Sequence, residues 1–138
     1  MRVGLLLPCL LVCNVIAAQA QQQPRFVVDA PTIIAFFPPT SKAEVEKNPD
    51  TNEALADFQY YASQARKALK KAGVGFIETY ATAFTIRQGA AITTFRPGKV
   101  KVGYYLTAPG KKPRIEYGVM TDSDLLKVAS EYFGIPQS

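Results

Sequence analysis

The sequence predicts a mixed α/β domain, and three observations carry that prediction. Thr32-Ile33-Ile34-Ala35-Phe36-Phe37 is apolar without alternation, as expected of a strand buried on both faces. A long segment after it repeats apolar residues at spacings of three and four, the signature of one helix face. Near the C-terminus, two Pro-Gly pairs bracket further strands, and a second amphipathic helix follows. The order strand, helix, strand, hairpin, helix implies a right-handed parallel crossover joined to antiparallel strands in one sheet, with the last helix covering a face.

Ahead of that domain, residues 1–20 read as a cleaved secretory signal peptide. Met1-Arg2 supplies a positive start, Val3 to Val12 is largely apolar, and Ala18-Gln19-Ala20 is the small-x-small pattern of a cleavage site. A retained anchor fits less well, because Asn14 and Gln19 break the run before the roughly 20 residues of a spanning helix. Lipidation at Cys13 also fits less well, since Val12 stands where a small residue is normal. The expected organisation is a signal peptide at 1–20, an N-terminal extension at 21–30 and one domain over 31–138. Export to a periplasm or the exterior follows, with no transmembrane segment after cleavage.

The elements follow in order. Gln21 to Pro24 is polar, and Phe26-Val27-Val28 is compatible with a short strand. Pro38-Pro39 ends the first buried strand, because proline cannot donate to a ladder. Ser41 to Lys47 suits a turn or two of helix, which Asn48-Pro49 interrupts. Asp50 with Glu53 offers a capping box for the long helix. Its stripe is Leu55, Phe58, Ala62, Ala65, Leu69 and Ala72, with Gly73 placed for a left-handed cap. Val74 to Tyr80 reads as a strand, residues 81–90 fit strand or helix, and Ala91 to Phe95 is extended. Arg96-Pro97-Gly98-Lys99 and Ala108-Pro109-Gly110-Lys111 are turns of the type II kind. Val100–Thr107 and Arg114–Val119 form the hairpin strands. Thr121 with Asp124 caps a helix whose face is Leu125, Leu126, Val128, Ala129, Tyr132 and Phe133, and Gly134 and Pro136 stop it.

These residues resemble the thioredoxin-like fold. Thr32–Phe37 looks like the thioredoxin strand that leads into the active site. Val102-Gly103-Tyr104-Tyr105-Leu106 and Gly118-Val119-Met120-Thr121-Asp122-Ser123-Asp124-Leu125-Leu126 look like its final hairpin, glycine and last helix. The resemblance implies an α/β fold with a mixed sheet, a parallel strand–helix–strand unit plus a C-terminal antiparallel hairpin, and flanking helices. It departs at the catalytic motif. Ser41-Lys42-Ala43-Glu44 stands where Cys-x-x-Cys belongs, and the nearest candidate for the family's cis-proline, Pro97, lies well upstream of Val102. Thiol–disulfide exchange needs a thiolate and a resolving thiol, and neither is there.

Cleavage would also take both cysteines, Cys9 and Cys13, and leave a mature chain without Cys, His or Trp. That excludes a Ser-His-Asp arrangement and makes zinc or soft-metal sites a poor fit. No cofactor is expected. Arg2 leaves with the signal, so 15 basic residues face 11 acidic ones, a net +4. The basic residues gather only at Arg66-Lys67/Lys70-Lys71 and Lys111-Lys112/Arg114, and no nucleic-acid motif accompanies them.

Carboxylate pairs have plain structural explanations. Glu44/Glu46 suits a solvated helix face, and Asp50/Glu53 and Asp122/Asp124 suit helix N-termini. Ser41 and Lys42 are adjacent and point apart. Gly73-Val74-Gly75 is a fragment of a phosphate loop, better explained by helix termination. Glu78 stands in an apolar strand and needs either a cationic partner or access to water. Tyr60 and Tyr61 cannot both face inward, so one is expected on the surface beside the basic cluster.

The first functional expectation is a redox-inactive exported module that binds a protein or peptide. The resemblance places its face at Pro38, Pro39, Thr40 and Ser41, with Phe95, Arg96 and Pro97 opposite. The second is an enzyme using carboxylate, Lys or Tyr groups in an arrangement that sequence does not display. The third is a structural envelope protein that meets anionic surfaces through its basic faces.

Overall fold

The computed structural model describes residues 23–98 and 101–136. The signal-peptide reading, and the expectations for Lys99 and Val100, lie outside the described residues. In chain order the elements are β1 (Arg25–Val27), β2 (Thr32–Phe36), α1 (Lys42–Lys47), α2 (Pro49–Lys71) and β3 (Gly75–Thr79). They continue with β4 (Phe84–Gln88), β5 (Ala91–Phe95), β6 (Gly103–Ala108), β7 (Lys111–Tyr117) and α3 (Asp122–Phe133).

The strands form two mixed sheets. The larger runs β3-β2-β6-β7 and the smaller β1-β4-β5. β2 and β3 are parallel through α2, with Thr32 opposite Gly75 and Phe36 opposite Thr79. β6 is antiparallel to β2, and β7 to β6, so the C-terminal hairpin extends the crossover's own sheet.

β2 explains the layering. All its residues are buried, and successive side chains point to opposite faces. Ile33, Ala35 and then Phe37 join Phe58, Ala65, Leu69, Tyr104, Leu106, Leu125, Ala129 and Tyr132, the core between the large sheet and the helices. Ile34 and Phe36 join Val28, Phe84, Ile86 and Tyr105, the core between the two sheets. The result is three layers: helices, a four-stranded sheet and a three-stranded sheet. The second face of the large sheet is therefore covered by strands, whereas the sequence pointed to one sheet with flanking helices.

The small sheet comes from two segments. Residues 81–90, which fitted either state, supply β4, and the two-residue loop Gly89-Ala90 turns it into β5. Gly89 has φ +59 at the first central position, as a type II′ hairpin turn requires. β1 lies in the 21–30 segment and pairs in parallel with β4, Phe26 opposite Ile86. Val28 after it is fully buried.

The helix ends have local causes. Asn48, not Asp50, caps α2: its side-chain oxygen accepts from the Asp50 N–H at 3.2 Å, with Pro49 as the first helical residue. At the other end the Gly73 N–H donates to Lys70 O and the Val74 N–H to Leu69 O, a Schellman pattern at φ +79. Thr121 caps α3 by accepting from the Asp124 N–H at 3.2 Å. Among the described residues, no helix is long and apolar enough to cross a membrane.

Candidate functional site

The carboxyl end of β2 brings the Pro38–Ser41 loop against the start of the long helix α2. Phe37 still donates from its backbone N–H to Thr79 O at 3.1 Å, and its ring packs 5.3 Å from Phe58. Pro38-Pro39 then stops the ladder, and the chain leaves the sheet over the N-terminus of α2. Pro38 and Thr40 are half-buried, while Pro39 and Ser41 are exposed. A pocket of about 220 Å³ opens there, lined by Phe37, Pro38, Asp50, Thr51, Ala54 and Val102. Its walls are largely hydrocarbon, with Asp50 and Thr51 from the first turn of α2 as the polar residues.

Ser41 is engaged in local structure. Its hydroxyl accepts from the Glu44 N–H at 3.1 Å, and its own N–H donates to Glu44 Oε2 at 3.0 Å. This is a capping box for α1, so Ser41 and Glu44 satisfy a helix end. The spacing of Ser41 and Glu44 was the available signal for it.

Phe95, Arg96 and Pro97 reach the same end of the molecule from the other side of β2. The Phe95 ring lies 5.2 Å from Phe36, 5.3 Å from Phe84 and 5.1 Å from Tyr105, inside the layer between the sheets. Arg96 is exposed and Pro97 buried, and every described peptide bond is trans. Pro38 and Phe95 are thus joined through consecutive residues Phe37 and Phe36, which face opposite layers. The 220 Å³ pocket has Phe37 and Pro38 in its wall, and its remaining walls come from α2 and from Val102, just before β6. Asp50, Thr51, Ala54 and Val102 were not foreseen as a site. Asn48-Pro49 was the signal, because it fixes where α2 starts and hence which residues face the loop.

A second polar group joins α2 to the edge strand β3. Arg66 meets Glu78 at 2.7 Å, and the Tyr80 hydroxyl lies 3.4 Å from the other Glu78 oxygen while accepting from Gln59 Nε2 at 3.1 Å. The Arg66 guanidinium also lies over the Phe76 ring at 5.4 Å. Glu78 is therefore both cation-paired and in reach of water, its side chain 21% exposed. The pair ties helix to strand in a partly solvated setting, where an ion pair contributes about 1 kcal/mol or less.

The two basic clusters differ in availability. Lys111 donates to the Tyr132 carbonyl and lies over the Tyr132 ring, and Arg114 bridges Glu116 and Glu131 at 2.7 and 3.2 Å. Lys67, Lys70 and Lys71 are exposed on α2, and a groove of about 440 Å³ beside them is lined by Gln64, Lys67, Ala68, Lys71, Ala72 and Pro136. Tyr60 is 60% exposed and meets the half-buried Tyr61 edge-on at 5.3 Å. Among the described residues, no three His, Cys, Asp or Glu side chains come together as a metal site.

No family model, curated protein or solved structure matches this chain.

Proposed function

We propose that the mature chain is an exported, redox-inactive thioredoxin-like domain that binds a protein or peptide at the carboxyl end of β2. Two features support the fold part of this reading: the parallel β2–α2–β3 unit, and the antiparallel β6–β7 hairpin in the same sheet followed by α3. The observation that carries the function is the pocket at Pro38. Ligands of open α/β sheets collect beyond the carboxyl ends of strands. Its volume of about 220 Å³ is below the roughly 300–1,000 Å³ of small-molecule sites. A cavity of that size suits one apolar anchor side chain of a larger partner. Asp50 at its wall favours a Lys or Arg beside that anchor.

The test is peptide selection by display on the mature protein. Enriched sequences should share one apolar residue next to Lys or Arg, and Ala54→Trp, which fills the pocket, should abolish their binding while thermal unfolding stays cooperative. Enrichment that Ala54→Trp leaves intact sinks the proposed site. An insulin-reduction assay accompanies it, and thiol-dependent activity there overturns redox inactivity.

The exposed Lys67, Lys70 and Lys71 beside their groove favour a second reading, an envelope protein that meets an anionic surface. Salt-sensitive binding to anionic vesicles, lost in a Lys67→Glu/Lys71→Glu variant and retained in Ala54→Trp, would select it.

A further inference from the structure

Among the described residues, four sheet edges lack a partner strand, and they are not alike. β7 carries Lys111, Lys112, Pro113, Arg114 and Glu116, the charges and proline that keep an edge from pairing. β1 has only three residues, one of them Arg25. β3 holds Glu78, paired with Arg66. β5, Ala91-Ile92-Thr93-Thr94-Phe95, has neither charge nor proline, and its first four residues are exposed.

The hairpin register says which backbone groups face outward. Gln88 and Ala91 flank the two-residue loop and so form the hydrogen-bonded pair that closes it. Antiparallel alternation then directs Thr93 and Phe95 towards β4 and turns the N–H and C=O of Ile92 and Thr94 to the free edge. Among the described residues, nothing bonds to those groups.

We propose that two copies of this chain pair through β5, antiparallel and centred on Thr93. In that register Ile92 lies opposite Thr94 of the second copy, and Thr94 opposite its Ile92. Both are hydrogen-bonded positions, so every outward N–H and C=O on each strand finds its counterpart. Few other registers of this strand satisfy all of them, and a two-fold axis through Thr93 makes the contact self-complementary. The side chains agree. The exposed Ile92 of each copy meets β-branched Thr94 across the strands. Arg96 falls opposite Ala90, so no charge stands against a like charge. The small sheet becomes continuous across both copies. One five-residue strand buries far less than the about 1,200–2,000 Å² of a stable complex, so the association is weak and concentration-dependent.

The experiment is sedimentation equilibrium of the mature protein from micromolar to millimolar concentration, together with amide hydrogen exchange. The weight-average mass should climb towards twice the monomer value, and the Ile92 and Thr94 amides should exchange more slowly at the high end while Thr93 does not change. Thr94→Pro removes an outward donor without touching the bonds to β4, and Ile92→Lys adds a charge at the contact. Both should stay monomeric with unchanged circular dichroism, and Ile92→Val should still associate. A mass that stays monomeric throughout overturns the proposal. So does a dimer that survives both variants, or one in which the Ile92 and Thr94 amides exchange at the same rate at both concentrations.

Discussion

Gln88 Nε2 donates to the Thr107 hydroxyl at 2.7 Å, and that contact crosses from the small sheet to the large one. Thr107 is 1% exposed at the end of β6, so the bond is made where water does not compete. Apolar packing holds the sheets together without fixing their relative slide, whereas a directional bond does. Thr107→Val keeps the shape and strands the Gln88 amide. It should cost about 1–2 kcal/mol, seen as a lower urea midpoint at constant m. Gln88→Leu in the Thr107→Val background should cost less than the sum of the two single changes.

Gly103 marks a close approach. A Cβ there would run into the Glu116 carbonyl oxygen and sit 3.0 Å from both Phe36 Cζ and Tyr117 Cα. Two of those neighbours are backbone of β7 and the third is a fully buried ring, so none yields without moving the hairpin. Gly103→Ala should therefore destabilise by about 3 kcal/mol. Because the displaced segment includes Val102, which lines the pocket at Pro38, peptides selected under the proposed function should also bind more weakly at temperatures where the variant is still folded.

The parts legible in the sequence were those set by one periodicity or one turn chemistry. β2 showed itself by continuous apolarity because both its faces meet other layers. α2 showed itself by its stripe and by Gly73. The second sheet did not. Val27-Val28 and Phe84-Thr85-Ile86 are short, and their pairing is between segments far apart in the chain, which no local pattern records. The hairpin at Gly89-Ala90 lacks the Asn-Gly or Asp-Gly pair that usually announces one. The pocket was half legible. Phe37 and Pro38 were marked by the end of β2, but the other walls come from α2 and from Val102 before β6, and only the tertiary fold brings these together.

Asn48 serves two helices at once. Its N–H donates to Glu44 O at the end of α1, and its side chain caps α2. Asn48→Ala keeps the first role and removes the second, at a cost of about 1 kcal/mol. Asn48→Asp should restore most of that loss, since an anion suits a helix N-terminus. Peptide affinity should follow the same order, because the first turn of α2 carries Asp50 and Thr51 into the pocket.

Tyr104 ties stability to alkaline pH. Its ring is fully buried and its hydroxyl oxygen accepts from the Met120 N–H at 3.1 Å. Burial pushes its phenol above the ordinary 10.0, the Met120 bond opposes that, and the Glu78 charge adds to it. Burial also raises Tyr105 and Tyr132. With the folded value above the unfolded one, the native chain holds more protons than the unfolded chain once pH passes 10. Stability is thus fully present below about pH 10 and is lost as pH rises further. Urea midpoints should be flat up to about pH 10 and fall beyond it, while phenolate absorbance lags until the protein unfolds. Tyr104→Phe should weaken the alkaline fall and, by orphaning the Met120 N–H, lower stability at neutral pH by about 1–2 kcal/mol. An alkaline fall of the same size in Tyr104→Phe would assign the effect to Tyr105 and Tyr132 alone.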